Sequence, residues 1–158
     1  MGFSLIGSLI TAIILLPNLL MIFLPPKEIP SKAKDAGVFF TIIERIGQVA
    51  CFLLPVILKD YIESADLDIW FIIAAICVAF YYGLWIRYAL KRNFALLFAP
   101  LAFIPIPMAV FPVSAFVFIS VWIHSIWLGI AAVVLAVGHF ASSWASYKSI
   151  KASRHDAE

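Results

Sequence analysis

The chain of 158 residues is 65% hydrophobic and 13% charged, with a mean hydropathy of +1.07. Soluble domains average about 45–50% apolar and about 25% charged, so this composition excludes an ordinary soluble globule and fits a membrane protein. A net charge of +2 is too small for a nucleic-acid surface, so no nucleic-acid partner is expected.

A helix crosses a bilayer with about 20 mostly apolar residues. The first such run, 3–24, has no Lys or Arg before it and ends in Leu24-Pro25-Pro26, so it reads as a span and not as a cleaved signal. The second and third runs are 38–58 and 67–90. The last apolar region, 94–147, is far too long for one crossing. The segment Trp122-Ile-His-Ser-Ile-Trp127 divides it, with tryptophans suited to a membrane interface. The predicted spans are therefore 3–24, 38–58, 67–90, 94–121 and 127–147, followed by a frayed tail 148–158.

Charge fixes the direction. Lys27, Lys32 and Lys34 follow the first span, Arg87, Lys91 and Arg92 surround the junction of the third and fourth, and Lys148, Lys151 and Arg154 fill the tail. With five spans all nine fall on one side, while the other carries Lys59 among Asp60, Glu63, Asp66 and Asp68. Retained positive charge marks the cytoplasm. The expectation is a single all-α domain over 1–158, a polytopic five-helix transmembrane bundle with its N-terminus outside and its C-terminus cytoplasmic. The expected location is the bacterial inner membrane, with the lipid bilayer as the first partner.

Polar residues inside spans are expensive and mark candidate sites. Glu44, Arg45 and Gln48 lie within the second span; Glu44 and Gln48 share a helix face, and Arg45 is about 100° around from Glu44. At about 1.5 Å per residue, Glu44 and His139 lie at similar depth, roughly 10 Å from the cytoplasmic side. Asn18, Tyr81, Tyr82 and Ser142 fall in the same half-layer. Side chains lean toward the helix N-terminus, so Arg45 is placed to snorkel to the headgroups while His139 leans deeper. Asn18 follows Pro17 and is expected to bond a carbonyl that the proline frees. Glu44, Gln48 and His139 are the expected lining of a pocket with Arg45 at its mouth.

Pro100, Pro105, Pro107 and Pro112 disrupt the fourth span: it is expected to kink, with neighbours and water repairing it, or to break and line a cavity or coordinate an ion. The small residues Gly129, Ala132, Ala136 and Gly138 would allow close approach in the fifth. Cys51 and Cys77 lie in apolar runs and read as small buried hydrophobes, with no Cys/His spacing for zinc. The phosphate-cradling loops, nucleophile elbows and metalloprotease motifs are all missing, so no metal, catalytic group or cofactor is assigned.

The order of Pro17-Asn18, the Glu44-Arg-Ile-Gly47 stretch, Tyr82 to Trp85, the prolines of the fourth span and His139 with its trailing serines resembles an uncharacterised family of small bacterial five-span membrane proteins. That resemblance covers most of the chain and implies architecture only. The five-span tetrapyrrole-binding proteins carry a Trp-Pro-Pro signature that this chain lacks. Three functions fit the residues. The first is a multi-pass protein binding or transporting a small molecule, lipid headgroup or ion in a cytoplasm-facing polar pocket. The second is a membrane enzyme using Glu44 or His139 as acid or base. The third is an accessory subunit, in a homo-oligomer or with a membrane partner, in which the polar layer is glue.

Overall fold

The computed structural model describes residues 2–27 and 36–155, with side chains described as far as 152. The expected cytoplasmic charges Lys32 and Lys34 lie outside the described residues, as does the side chain of Arg154. The described chain is helical, and no strand occurs in it. Four helical stretches are long and apolar enough to cross a membrane: Leu5–Phe23, Val38–Ile57, Ile69–Lys91 and Ile126–Ala152.

The first stretch is not one uniform helix. It comprises α1 (Leu5–Leu15), a tighter 3-10 turn over Leu16–Leu19, and α2 (Leu20–Phe23). Pro17 causes the change, because it has no N–H to give to the carbonyl of Ile13 one turn earlier. Ser4 caps α1, its hydroxyl accepting from the Gly7 N–H at 3.0 Å.

The second stretch is α3 (Val38–Ile57). Its last carbonyls would be orphans in lipid. The amino-terminal segment satisfies two of them: Ser4 N–H donates to the Val56 carbonyl at 2.7 Å and Gly2 N–H to that of Ile57 at 3.0 Å. A short α4 (Lys59–Glu63) follows, which sequence patterning does not reveal. Then comes α5 (Ile69–Lys91), capped by Asp68, whose carboxylate accepts from the Trp70 and Phe71 N–H groups.

The fourth apolar run departs most from expectation. The kinked helix over 94–121 gives way to the broken one, in two pieces, α6 (Ala95–Phe98) and α7 (Pro107–Trp122). Pro100 holds Ala99 extended and ends α6. Leu101 and Ile104 then exchange backbone hydrogen bonds around Ala102 and Phe103, with Ala102 at a positive φ and Phe103 92% exposed at the tip. Pro107 starts α7 at a position where its missing N–H costs nothing. At about 1.5 Å per residue, the 16 residues of α7 span about 24 Å, less than the roughly 30 Å hydrocarbon core.

The chain reverses through Ile123–Ser125 and continues as α8 (Ile126–His155). The frayed tail expected from residue 148 is instead a continuation of this helix to His155, with no proline or glycine after Gly138 to stop it. The outward faces carry exposed large apolar side chains such as Ile22, Phe39, Ile46, Ile72, Ile86 and Val133. This is the surface a lipid solvent requires. Cys51 and Cys77 are both buried and free, in line with their reading as small hydrophobes.

The core divides in two. One cluster joins Ile14, Cys51, Ala74, Phe116, Leu128 and Leu135, and the other joins Tyr81, Trp85, Tyr88 and Leu97. The most extensive pairing is α3 with α8. These helices touch at their glycines. A Cβ on Gly47 would strike the Leu135 backbone, and one on Gly138 would strike the Glu44 backbone. Small residues allow this approach in membrane helices.

Candidate functional site

The α3–α8 crossing places two ionisable side chains face to face. Glu44 stands one turn before Gly47 on α3, and His139 directly follows Gly138 on α8. With the backbones this close, His139 Nδ1 and Glu44 Oε1 lie 2.6 Å apart. Their side chains are 27% and 16% exposed, respectively, so the protein itself removes most of the contact with solvent before any lipid is added. Glu44 Oε1 also accepts from Gln48 Nε2 at 3.4 Å, and Gln48 Oε1 accepts from Arg45 at 3.1 Å. The contacts that start at His139 pass through Glu44 and Gln48 and end at Arg45 on the surface. Arg45 itself is exposed, as its predicted reach for the headgroups requires.

A second polar pair comes from the other spans. Tyr81 on α5 donates its hydroxyl to Asn18 Oδ1 in the 3-10 turn at 2.7 Å. Asn18 was expected to bond a freed carbonyl, and it bonds Tyr81 instead. The repair falls to Tyr82, whose hydroxyl donates to the Ile13 carbonyl at 2.6 Å. That is the carbonyl Pro17 leaves unpaired. Tyr82, a predicted site residue, therefore faces α1 and lines neither cavity described below; its neighbour Tyr81 lines both.

Two cavities meet at these pairs. The larger, about 260 Å3, is bounded by Asn18, Glu44 on α3, Tyr81 and Trp85 on α5, Leu97 and Phe98 on α6, Met108 on α7, and His139, Ser142, Ser143 and Ser146 on α8. The smaller, about 190 Å3, lies beside it and shares Asn18, Tyr81 and His139, adding Gln48, Phe52 and Pro112. Together they reach the lower part of the range of about 300–1,000 Å3 usual for small-molecule sites. The polar groups sit at the seam between the two apolar clusters, since the cavity walls draw on both. A larger groove between α7 and α8, near His124 and Gly129, is almost wholly apolar and lies away from this chemistry.

Two donors in the larger cavity are unspent. The Trp85 indole N–H and the Ser142 hydroxyl are buried and make no hydrogen bond of proper geometry among the described residues; the indole lies beside the Tyr81 hydroxyl and the serine beside the Glu44 carboxylate. Trp85 is only 5% exposed, so the protein shields its N–H from bulk solvent. An orphaned buried donor costs about 1–3 kcal/mol unless a ligand or water supplies the acceptor.

Of the predicted residues, the structure brings Glu44, Gln48, His139, Asn18, Tyr81 and Ser142 around one pair of cavities. Arg45 joins them through Gln48, and Tyr82 does not join them. Sequence reasoning missed the contribution of Trp85, read as an interface or packing aromatic, and that of Leu97, Phe98, Met108 and Ser146. The i, i+4 spacing of Tyr81 and Trp85 is the one signal that could have linked them. Among the described residues no group of three or more His, Cys, Asp and Glu side chains converges, so a carboxylate–imidazole pair is the available acid–base chemistry. Compared with family models, with curated proteins and with solved structures, the chain shows no significant match to any of them.

Proposed function

We propose that the protein is a five-crossing helical bundle of the bacterial cytoplasmic membrane that binds or moves a small polar molecule or ion in the cavity around Glu44 and His139. The amino terminus is outside and the carboxyl terminus cytoplasmic. The basic residues Lys27, Arg92 and Lys148 then share the inner side, and the Lys27 N–H bond to the Arg92 carbonyl, at 3.1 Å, is consistent with the first two of these ends being neighbours. In this reading α6, the turn after it and α7 together make the fourth crossing, since α7 alone is too short.

The observation that carries the reading is the convergence of one side chain or more from every crossing on a cavity that contains a carboxylate–imidazole pair and two unspent donors. A bundle held together by packing alone has no need to enclose such a space.

One observation favours a second reading, that the polar layer is glue. The Glu44–His139 bond bridges the glycine contact of α3 and α8, and interhelical hydrogen bonds in membranes contribute about 0.6–2 kcal/mol each. Mass spectrometry of small molecules retained by purified protein separates the two. Wild type is expected to carry a specific compound that Glu44→Gln loses while its unfolding midpoint stays close to wild type. Glutamine keeps the size and an acceptor but not the charge. If both carry only bulk lipid and Glu44→Gln mainly lowers the midpoint, the glue reading replaces the binding one.

A further inference from the structure

Resting on that reading of the cavity, we propose that its occupant is a small organic cation, an ammonium with an oxygen acceptor close by, as in an amino alcohol. Three independent features of the walls point there. The first is charge. Glu44 is the only carboxylate on the walls of either cavity, and neither is lined by a Lys or Arg among the described residues. With His139 protonated the pair is neutral; with His139 neutral the site is anionic. In neither state does an unpaired positive charge line the cavities among the described residues, and Arg45 stands outside them with its guanidinium on Gln48, so a phosphate or carboxylate ligand would enter at high cost in a low-dielectric site.

The second feature is aromatic. Tyr81, Trp85 and Phe98 all line the larger cavity. The rings of Tyr81 and Trp85 meet edge to face, 6.3 Å apart and at 89°. Aromatic faces attract ammonium groups through the ring quadrupole, and the attraction grows when water is excluded. The third is the Trp85 N–H, which can only donate and which lies beside the Tyr81 hydroxyl without a hydrogen bond of proper geometry to it. A bare ammonium leaves it unsatisfied, whereas a hydroxyl or ether oxygen beside the ammonium supplies the acceptor. Size agrees. Water takes about 30 Å3 in the liquid, so a space of about 260 Å3 holds several waters or one ligand of that bulk.

The absence of lining Lys or Arg also decides between a free amine and an amine on a phospholipid. The phosphodiester of a lipid headgroup would sit a few bonds from the ammonium and find no Lys or Arg among the described lining residues, since Arg45, joined to the site through Gln48, stands outside the walls. The free amine is the better fit.

The test is calorimetric titration of the full chain in neutral detergent with choline and with ethanolamine, against ethylene glycol and inorganic phosphate as neutral and anionic comparators. Saturable binding of both ammonium alcohols is expected, with neither comparator binding. Glu44→Gln is expected to weaken it by about tenfold or more, and Trp85→Phe, which keeps a ring but loses the N–H, by a smaller factor. Circular dichroism of each variant establishes that it has folded. Glu44-dependent binding of phosphate, or of ethylene glycol as tightly as choline, overturns the cation assignment and leaves the cavity as a binding site. No binding of any probe while wild type still retains a Glu44-dependent compound overturns the assignment alone. No binding and no such compound overturn both. Binding of ethanolamine only within phosphatidylethanolamine nanodiscs, and not as the free amine, overturns the choice of a free ligand.

Discussion

Alanine at Gly138 or Gly47 is expected to destabilise the protein by about 1–3 kcal/mol or more, while alanine at Gly83 is expected to stabilise it by up to about 1 kcal/mol. The substitution is the same in all three, and in an isolated helix alanine is always the better residue. The difference lies in what the new methyl meets. At Gly83, on α5, nothing lies within contact distance. At Gly138 the methyl meets the Glu44 backbone, and at Gly47 the backbone of Leu135. Backbone cannot rotate out of the way as a side-chain tip does, so α3 and α8 must separate. Separation also lengthens the 2.6 Å contact between Glu44 and His139. Thermal unfolding in detergent, followed by circular dichroism, measures all three. Equal midpoints for Gly47→Ala, Gly138→Ala and Gly83→Ala would mean that α3 and α8 do not touch at these glycines.

Tyr82→Phe is expected to cost about 1–3 kcal/mol, although Tyr82 lines neither of the two cavities at Glu44 and His139 and is partly exposed on the bundle surface. Its hydroxyl is the replacement for the N–H that Pro17 lacks, and a carbonyl left unpaired in hydrocarbon is costly. The cause can be isolated by a double substitution. Pro17→Ala restores an N–H one turn after Ile13, so the Ile13 carbonyl no longer depends on Tyr82. Tyr82→Phe should therefore cost clearly less in the Pro17→Ala background than in wild type. Equal cost in both backgrounds, read as the shift in unfolding midpoint, would contradict the repair role.

Much of this fold is legible in the chain because lipid imposes few alternatives. Apolar runs of about 20 residues become helices, and that holds for the runs beginning at Leu5, Val38, Ile69 and Ile126. What the sequence leaves out is contact between runs. Nothing in the spacing of Pro17, Asn18, Tyr81 and Tyr82 tells which tyrosine reaches the asparagine and which the freed carbonyl; that depends on how α5 is rotated against α1. The same holds for Trp85, whose composition suits a membrane interface equally well. The prolines from Pro100 to Pro112 signal disruption. Whether the helix kinks or breaks depends on the tight turn closed by Leu101 and Ile104, and no turn-forming glycine or asparagine announces it. Gly138 is legible as one of a row of small residues, while Gly47 stands alone among larger ones and becomes meaningful only against Leu135.

The central claim is that the cavity around Glu44 and His139 is a polar chamber reached from the cytoplasm. Ser146 lines its wall on α8, and the native cysteines are buried. In a background with Cys51→Ala and Cys77→Ala, Ser146→Cys can be challenged with a membrane-impermeant methanethiosulfonate on vesicles of defined sidedness, beside Val133→Cys on the exposed apolar face of the same helix. The account predicts that the cysteine at position 146 reacts from the cytoplasmic side only, and that the one at 133 reacts from neither. Reaction of position 146 from the outer side, or from neither side in a folded protein, would contradict it.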